Sequence, residues 1–109
     1  MTQITIYRNE NRQVQRFTCT GHAGYDDYGY DIVCASISVL VINTINAIEQ
    51  FTADVCICEA DEESGDIDFC FTEKISHDAW LLVESMILGL TEIQNNYGNE
   101  FLILDFKEV

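Results

Sequence analysis

The sequence predicts a single α+β domain over residues 1–109, with two long helices packed on a mixed or antiparallel sheet of about five strands, in the order ββαββαβ. Three observations support this prediction. A chain of 109 residues has the length of one domain, and 48% of its residues are hydrophobic, enough for a packed core. Short alternating apolar and polar segments flank two longer segments whose apolar residues recur every three or four positions. The chain has no proline, which is compatible with regular elements throughout.

The first half of the chain is predicted to hold two strands and a long helix. Residues 4–7 and 14–20 alternate as strands do, and the polar residues between them form a hairpin connection. Residues 22–30 show no period and are predicted to be a loop. Asp31 is a good N-cap for a helix over residues 32–51. Because the helix is apolar beyond one stripe, we expect the sheet and second helix, or another subunit, to cover it on more than one side.

The second half is predicted to add a hairpin, a helix and a last strand. Residues 54–60 and 67–72 alternate on either side of an acidic turn, which is typical of a β-hairpin. Ser76 is a plausible N-cap for a second helix that ends near Tyr97. Residues 101–106 are apolar on both faces, which predicts a fully buried final strand.

The charge of the chain restricts its partners. The formal net charge is −14, from 19 acidic residues against 5 basic ones. Such a protein is repelled by nucleic acid and by anionic membrane surfaces and attracted by a basic partner. The N-terminus lacks the features of a signal peptide, and Ser, Asn and Glu interrupt the apolar stretches before membrane-spanning length. We therefore expect a cytoplasmic protein with reduced cysteines and no membrane or nucleic-acid partner.

One histidine and one cysteine, His22 and Cys34, are the candidate catalytic residues. With Asp31 as N-cap, Cys34 lies in the first helical turn, where free amides and the helix dipole stabilise a thiolate. An imidazole that reaches this thiolate completes a nucleophilic pair able to attack a carbonyl carbon and return a proton to the leaving amine. The alternative interpretation makes Cys34 a small buried hydrophobe and His22 an ordinary loop residue.

The remaining cysteines do not predict a metal site. Cys56 and Cys58 point to one face of a strand, and only His22 and His77 can add imidazole ligands. This arrangement lacks the paired Cys-x-x-Cys spacing of structural zinc sites. The sequence therefore predicts neither a metal nor another cofactor, and it favours packing roles for these thiols.

A specific motif then points to a family. The chain resembles the ribosomal-processing cysteine proteases called Prp, over nearly its whole length, in Gly21-His22-Ala23, Gly29, Asp31-Ile32-Val33-Cys34-Ala35 and Ser38. The resemblance implies a homodimeric cytoplasmic endopeptidase. Its expected partner is the N-terminal extension of the twenty-seventh protein of the bacterial large ribosomal subunit, cut after two phenylalanines and before a small residue.

The resemblance also implies roles for individual residues. The family's catalytic residues carry over onto His22 and Cys34, while Asp31 and Ser38 match the motif as supporting residues. Ser38 lies one helical turn beyond Cys34, so its hydroxyl can face the site. The loop tyrosines do not carry over from the family. The composition of the loop itself suggests a lid that closes on the peptide, with glycines as hinges and tyrosines that pack on the substrate phenylalanines. These loop candidates are Gly24, Tyr25, Tyr28, Gly29 and Tyr30.

Two other classes of function remain open at this stage. One is a non-enzymatic dimeric interaction protein that binds a basic ribosomal partner and uses Cys34 only structurally. The other is a thiol redox sensor, although no resolving cysteine lies near Cys34 in sequence, so Cys19 or Cys56 would have to approach in space. The rate at which Cys34 is alkylated separates a nucleophile from a structural thiol.

Overall fold

The computed structural model describes residues 1–21 and 28–109, with the side chains of residues 28–31 excepted. Five strands and two helices follow the predicted order ββαββαβ. They are β1 (Thr2–Arg8), β2 (Val14–Thr20), α1 (Tyr28–Phe51), β3 (Cys56–Ala60), β4 (Ile67–Phe71), α2 (His77–Tyr97) and β5 (Leu102–Glu108). The predicted α+β class is therefore confirmed.

The strands form one mixed sheet in the order β3-β4-β2-β1-β5. The pairs β3–β4, β4–β2 and β2–β1 are antiparallel, and β1–β5 is parallel. The C-terminal end of β2 thus lies at the same end of the sheet as the turn between β3 and β4, since Cys19 pairs with Ile67, which pairs in turn with Ala60. Strand β2 ends at Thr20, two positions before His22 in the sequence.

The core lies between one face of the sheet and the two helices. Phe17 and Phe69 are neighbours on β2 and β4, and their rings stack with centroids 5.0 Å apart. Both side chains are fully buried, as are Ile37 and Val41 on α1. Burial of side chains of this size contributes about 1.5–3 kcal/mol each, so this layer anchors α1 on the sheet.

The ends of α2 agree with the sequence prediction. The Ser76 hydroxyl accepts the Ala79 amide at 3.1 Å and so acts as the predicted N-cap. Gly98 is the C-cap with φ at 88°, and its amide donates to the Gln94 carbonyl. Helix α2 therefore has the local signals that its residues predict.

Two predictions about the remaining elements are wrong. The final strand was expected to be fully buried, but β5 is an edge strand on which only Leu102 is fully buried and Phe106 is exposed. The apolar stretches were expected to be too interrupted to span a membrane, yet residues 32–51 of α1, with a mean hydropathy of 1.8, are long and apolar enough by length and composition. The core contacts of this helix account for much of its apolar character.

Candidate active site

Cys34 lies on the first part of α1, on the helix that covers the sheet. Its neighbours Val33 and Ile37 are buried in the core, and the Cys34 side chain itself is partly exposed. A partly exposed thiol is accessible to a substrate while the surrounding helix is held in place by packing. This is the combination of access and rigidity that a nucleophile requires.

The predicted start of this helix is wrong. Helix α1 begins at Tyr28, so Asp31 is within its first turn rather than its N-cap, and Cys34 is the seventh helical residue. In a regular helix the amide of residue 34 donates to the carbonyl of residue 30 and is no longer one of the free first-turn amides. The helix dipole acts mainly within the first turn. The N-terminus of α1 therefore does not activate Cys34 in the predicted way.

The same correction applies to part of the predicted loop. Tyr28, Gly29 and Tyr30, expected in an irregular segment, form the first turn of α1. His22, Gly24 and Tyr25 lie outside the described residues, so the predicted pairing of His22 with Cys34 remains a prediction.

Two supporting candidates lie on the helix beside Cys34. Asp31 precedes it by three residues and Ser38 follows it by four, a spacing that puts all three positions on one helical face. The Ser38 side chain is partly buried. The backbone of α1 thus places the motif positions 31, 34 and 38 along one side of the helix, with Asp31 inside the helix rather than at the predicted N-cap.

Cys19, which the sequence analysis grouped with the packing thiols, lies near this face. It is 2% exposed on the core side of β2. Burial, and after it the negative charges of Asp66 and Cys34, raises the pKa of its thiol to about 11. Cys19 therefore stays protonated at neutral pH. Because Cys19 is the second-last residue of β2 and interacts with Cys34, the more accessible Cys34 thiol lies near the C-terminal end of that strand.

The other thiols lie on β3 and β4, where Cys56 and Cys70 are partly buried and Cys58 is exposed. Burial raises the pKa of Cys56 to about 11 and also raises that of Cys58. The described residues contain no group of three or more His, Cys, Asp or Glu side chains placed to hold a metal ion. Among the cysteines that the structure describes, Cys34 is the one that shares a side of α1 with the motif positions Asp31 and Ser38.

Comparisons with known proteins identify the family of the chain. The sequence profile of the family described as "Cysteine protease Prp" matches residues 1–101. The ribosomal processing cysteine protease Prp of Bacillus subtilis (strain 168) is 32% identical over 107 residues, which cover 94% of this chain and 96% of that protein.

Solved structures extend the similarity to three dimensions. The essential ribosomal processing protease Prp from S. aureus, in complex with a substrate peptide, has a TM-score of 0.91 at 28% identity, with 98% of this chain and 100% of that chain covered. The S. aureus protease with a covalently linked product peptide has a TM-score of 0.89 at 29% identity, with the same coverage.

The chain is therefore an enzyme of the cysteine protease class. It belongs to the Prp family of ribosomal processing cysteine proteases, since the profile match spans nearly all of its length. Membership in a protease family favours the enzymatic prediction over the non-enzymatic interaction protein that the sequence alone left open.

Proposed function

We propose that this protein is the endopeptidase that removes the N-terminal extension of the twenty-seventh large-subunit ribosomal protein, with Cys34 as nucleophile and His22 as its acid–base partner. The observation that carries the proposal is the partly exposed Cys34 on a core-packed helix within a fold that, in the S. aureus relative, holds a substrate peptide. A product peptide is covalently linked in the second S. aureus structure, which supports a covalent mechanism.

The reaction follows from the chemistry of a thiol and an imidazole. His22 takes the proton of Cys34, and the thiolate attacks the carbonyl carbon of the scissile amide. The carbon–nitrogen bond then breaks, and the imidazolium gives its proton to the departing amine. Water, activated by the same imidazole, attacks the thioester, releases the carboxylate and returns the thiol. The oxyanion of each tetrahedral intermediate needs donors other than the Cys34 amide, which lies inside the helix.

The helical face around Cys34 supplies two positioning candidates. Because Asp31 is not the N-cap, we assign it to orient His22. We assign Ser38 to form a hydrogen bond within the helical turn that carries Cys34. Both positions share one helical face with Cys34. Replacement of Asp31 by Asn is expected to lower kcat and alter the pH profile of kcat/KM, whereas a purely structural role would change only the thermal stability.

The tyrosines before and within the first turn of α1 are the proposed contacts for the substrate phenylalanines. Tyr28 and Tyr30 lie at the start of the helix that carries Cys34, on either side of Gly29, and Tyr25 precedes them in the sequence next to Gly24, the proposed hinge. Aromatic pairing contributes about 0.5–1.5 kcal/mol per pair beyond area burial. Substitution of the three tyrosines by Ala is therefore expected to weaken peptide binding at least threefold, and unchanged affinity would refute this assignment.

The test of the proposed function is cleavage of a synthetic peptide. The peptide spans a Phe-Phe-small-residue junction, and its products are identified by mass spectrometry. Wild-type protein is expected to cut one bond, Cys34→Ala to cut none, and Cys70→Ala, the matched control thiol, to retain activity. Absence of cleavage by folded wild-type protein, or cleavage by Cys34→Ala, contradicts the proposal.

We also propose that the protein acts as a cytoplasmic homodimer through the outer face of α1. From residue 32 to residue 48 the helix carries no charged side chain, although the chain has a net charge of −14. Val39 and Ile42 on this segment are 69% and 47% exposed. Because the chain is strongly acidic, two copies repel each other least when the contact between them is an uncharged apolar patch. This face of α1 is therefore the proposed interface.

The dimer is tested by the solution mass of matched variants. Val39→Asp puts a charge on the proposed interface, while Val55→Asp does the same at a valine that is 51% exposed elsewhere. Light scattering is expected to show a dimer for wild type and Val55→Asp and a monomer for Val39→Asp. Equal masses for the two variants would contradict the assignment of the interface to α1.

A further inference from the structure

One side of α1 carries exposed positions at a regular spacing. The spacing alternates between three and four residues, as it does for the contact positions of a coiled coil. Side chains on the side of the helix that faces the sheet, such as Ile37 and Val41, are buried in the core. We call the exposed positions the seam, and they are Ile32, Ala35, Val39, Ile42 and Asn46.

The seam is uncharged in a strongly acidic protein. No charged residue lies between Asp31 and Glu49, a stretch that contains the whole seam, although the chain has a net charge of −14. An uncharged, largely apolar surface is best covered by another such surface, and a second copy of the chain presents one. The spacing of the seam also lets its side chains interlock with those of its own copy. A second copy is therefore the occupant that these observations favour.

A hollow beside the seam offers a place for a side chain of the facing helix. Its volume is about 470 Å³. At its edge, Leu40 packs against α2 so closely that a Cβ at Gly89 would lie 2.6 Å from Leu40 Cδ2. In coiled coils, a side chain of one helix enters a hollow of this kind between residues of the other helix. The hollow is lined by Ala35, Ser36, Val39, Leu40 and Asn43.

The symmetry of the dimer determines which residues face each other. Homodimers are most often related by a two-fold axis, and an axis that crosses two neighbouring helices makes them antiparallel. Antiparallel helices also place the positive end of one helix dipole beside the negative end of the other. Residue 40 is the midpoint of the uncharged stretch 32–48, so an axis near it lets the whole stretch face its own copy. Ala35 then lies across from Asn46 of the partner subunit.

This arrangement brings Asn46 of the partner subunit to the helical turn that carries the proposed nucleophile. Cys34 directly precedes Ala35, and the Cys34 side chain is partly exposed. Because Ala35 carries only a methyl group, it leaves space for the longer amide side chain. Helices packed in this way lie about 8–10 Å apart, a gap that side chains from both helices span. A polar residue in such a seam costs stability, which favours a functional reason for the amide.

We propose that the side-chain amide of Asn46 of the partner subunit donates a hydrogen bond to the oxyanion that forms on the scissile carbonyl at Cys34. Each active site is then shared between two copies of the chain. The inference rests on the proposed endopeptidase function and homodimer, and it names a donor that the reaction needs, since the Cys34 amide lies inside the helix. The amide stays chemically unchanged and stabilises the negative charge of the tetrahedral intermediate.

A cross-link tests the arrangement without any need for catalysis. In the variant Asn46→Cys, a short bifunctional maleimide is expected to join the introduced thiol to Cys34 of the partner subunit, and mass spectrometry identifies the linked peptides. The control Asn95→Cys places a thiol at an exposed asparagine of α2 and is expected to give no link to Cys34. A dimer in which position 46 is not linked to Cys34 overturns the inference.

Mixing two inactive variants tests the catalytic role. Asn46→Ala is expected to remain a dimer by light scattering and to lose about a hundredfold in kcat with little change in KM, whereas Asn95→Ala keeps its activity. Asn46→Ala and Cys34→Ala are then mixed in equal amounts and left to exchange subunits. The activity is expected to rise to about one quarter of wild type, because half of the dimers are mixed and each mixed dimer holds one complete site.

The outcomes separate this inference from the proposed function. Full activity of Asn46→Ala, or no gain of activity on mixing, refutes the shared site and leaves the endopeptidase function standing. A cross-link between position 46 and Cys34, together with no peptide cleavage by wild type, supports the shared arrangement and contradicts the endopeptidase function. A wild-type protein that is monomeric and fully active overturns the inference.

Discussion

The ion pair between Arg16 and Asp68 offers the sharpest test of the structure on the open face of the sheet. The two residues lie on the adjacent strands β2 and β4, and the guanidinium donates to both carboxylate oxygens at 2.8 and 2.6 Å. This two-point geometry raises the pKa of Arg16 and, through the same hydrogen bonds, lowers the pKa of Asp68. The perturbation is a double-mutant cycle with Arg16→Met, Asp68→Asn and the double variant.

The expected coupling is small because the pair is exposed. The two side chains are 42% and 40% exposed, so solvent screens much of their attraction. Exposed pairs contribute about 0.2–1 kcal/mol, and the two-point geometry places this one at about 1 kcal/mol. In a domain of this size such a loss lowers Tm by about 4–6 °C. Arg16→Met also removes the contact of the guanidinium with the Tyr7 ring. That loss occurs in the single variant Arg16→Met and again in the double variant, so it cancels when the coupling energy is calculated.

The pH dependence has a definite sign. Because the pKa of Asp68 is lower in the folded protein than its ordinary value of 3.8, the pair stabilises the fold above that value. The stabilisation declines as the pH falls and the carboxylate takes up a proton. Urea unfolding at pH 7 should therefore give a coupling of about 1 kcal/mol that shrinks below about pH 4 and in high salt. A coupling of zero at pH 7, or one independent of pH, refutes the ion pair.

Two further predictions concern backbone strain and thiol reactivity. Gly21→Ala should destabilise the protein by at least about 2 kcal/mol in thermal unfolding, because residue 21 has φ of 73° and a Cβ there meets the Met1 carbonyl oxygen at 2.5 Å. Gly98→Ala, with φ of 88° and open space, should cost less, and an equal cost would contradict the contact. Burial raises the pKa of Cys19 and Cys56 from 9.0 to about 11, so peptide mapping at pH 7.5 should show both alkylated roughly a hundredfold more slowly than an ordinary thiol.

The elements whose signals are local were the ones that the sequence predicted well. Strand β2 has its predicted bounds, 14–20, because Phe17 and Cys19 alternate toward the core and Gly21 follows. Helix α2 follows its caps, since Ser76 supplies a side-chain acceptor. In each case the residues that determine the element lie within it or next to it.

The errors arose at the start of α1 and in the last strand. Gly29 and the tyrosines beside it have weak helix propensity, so the local sequence favoured a loop, yet α1 begins at Tyr28. Residues 101–106 have a central-strand composition, but the strand pairs only with β1 and forms an edge. Asp105 and Lys107 alternate with apolar residues there and were the available signal of a one-sided strand.

The candidate site was partly readable from the motif. The sequence placed Cys34 and Ser38 one turn apart on one helix, and α1 contains both, but it placed Asp31 at the N-cap, whereas Asp31 lies inside the helix. The Arg16–Asp68 ion pair was missed, because the two residues are 52 positions apart in the sequence and meet only through the pairing of β2 with β4. Pairing between strands that are distant in sequence carries no local signal.

The central claim is that Cys34 is the nucleophile, and a substrate-like electrophile tests it most directly. The protein is incubated with a peptide that ends in Phe-Phe chloromethyl ketone, and the intact mass and the modified residue are determined by mass spectrometry. The account predicts one adduct, located on Cys34, and loss of peptide cleavage in proportion to labelling. An adduct on another cysteine together with full loss of activity, or complete labelling of Cys34 with activity retained, would contradict it.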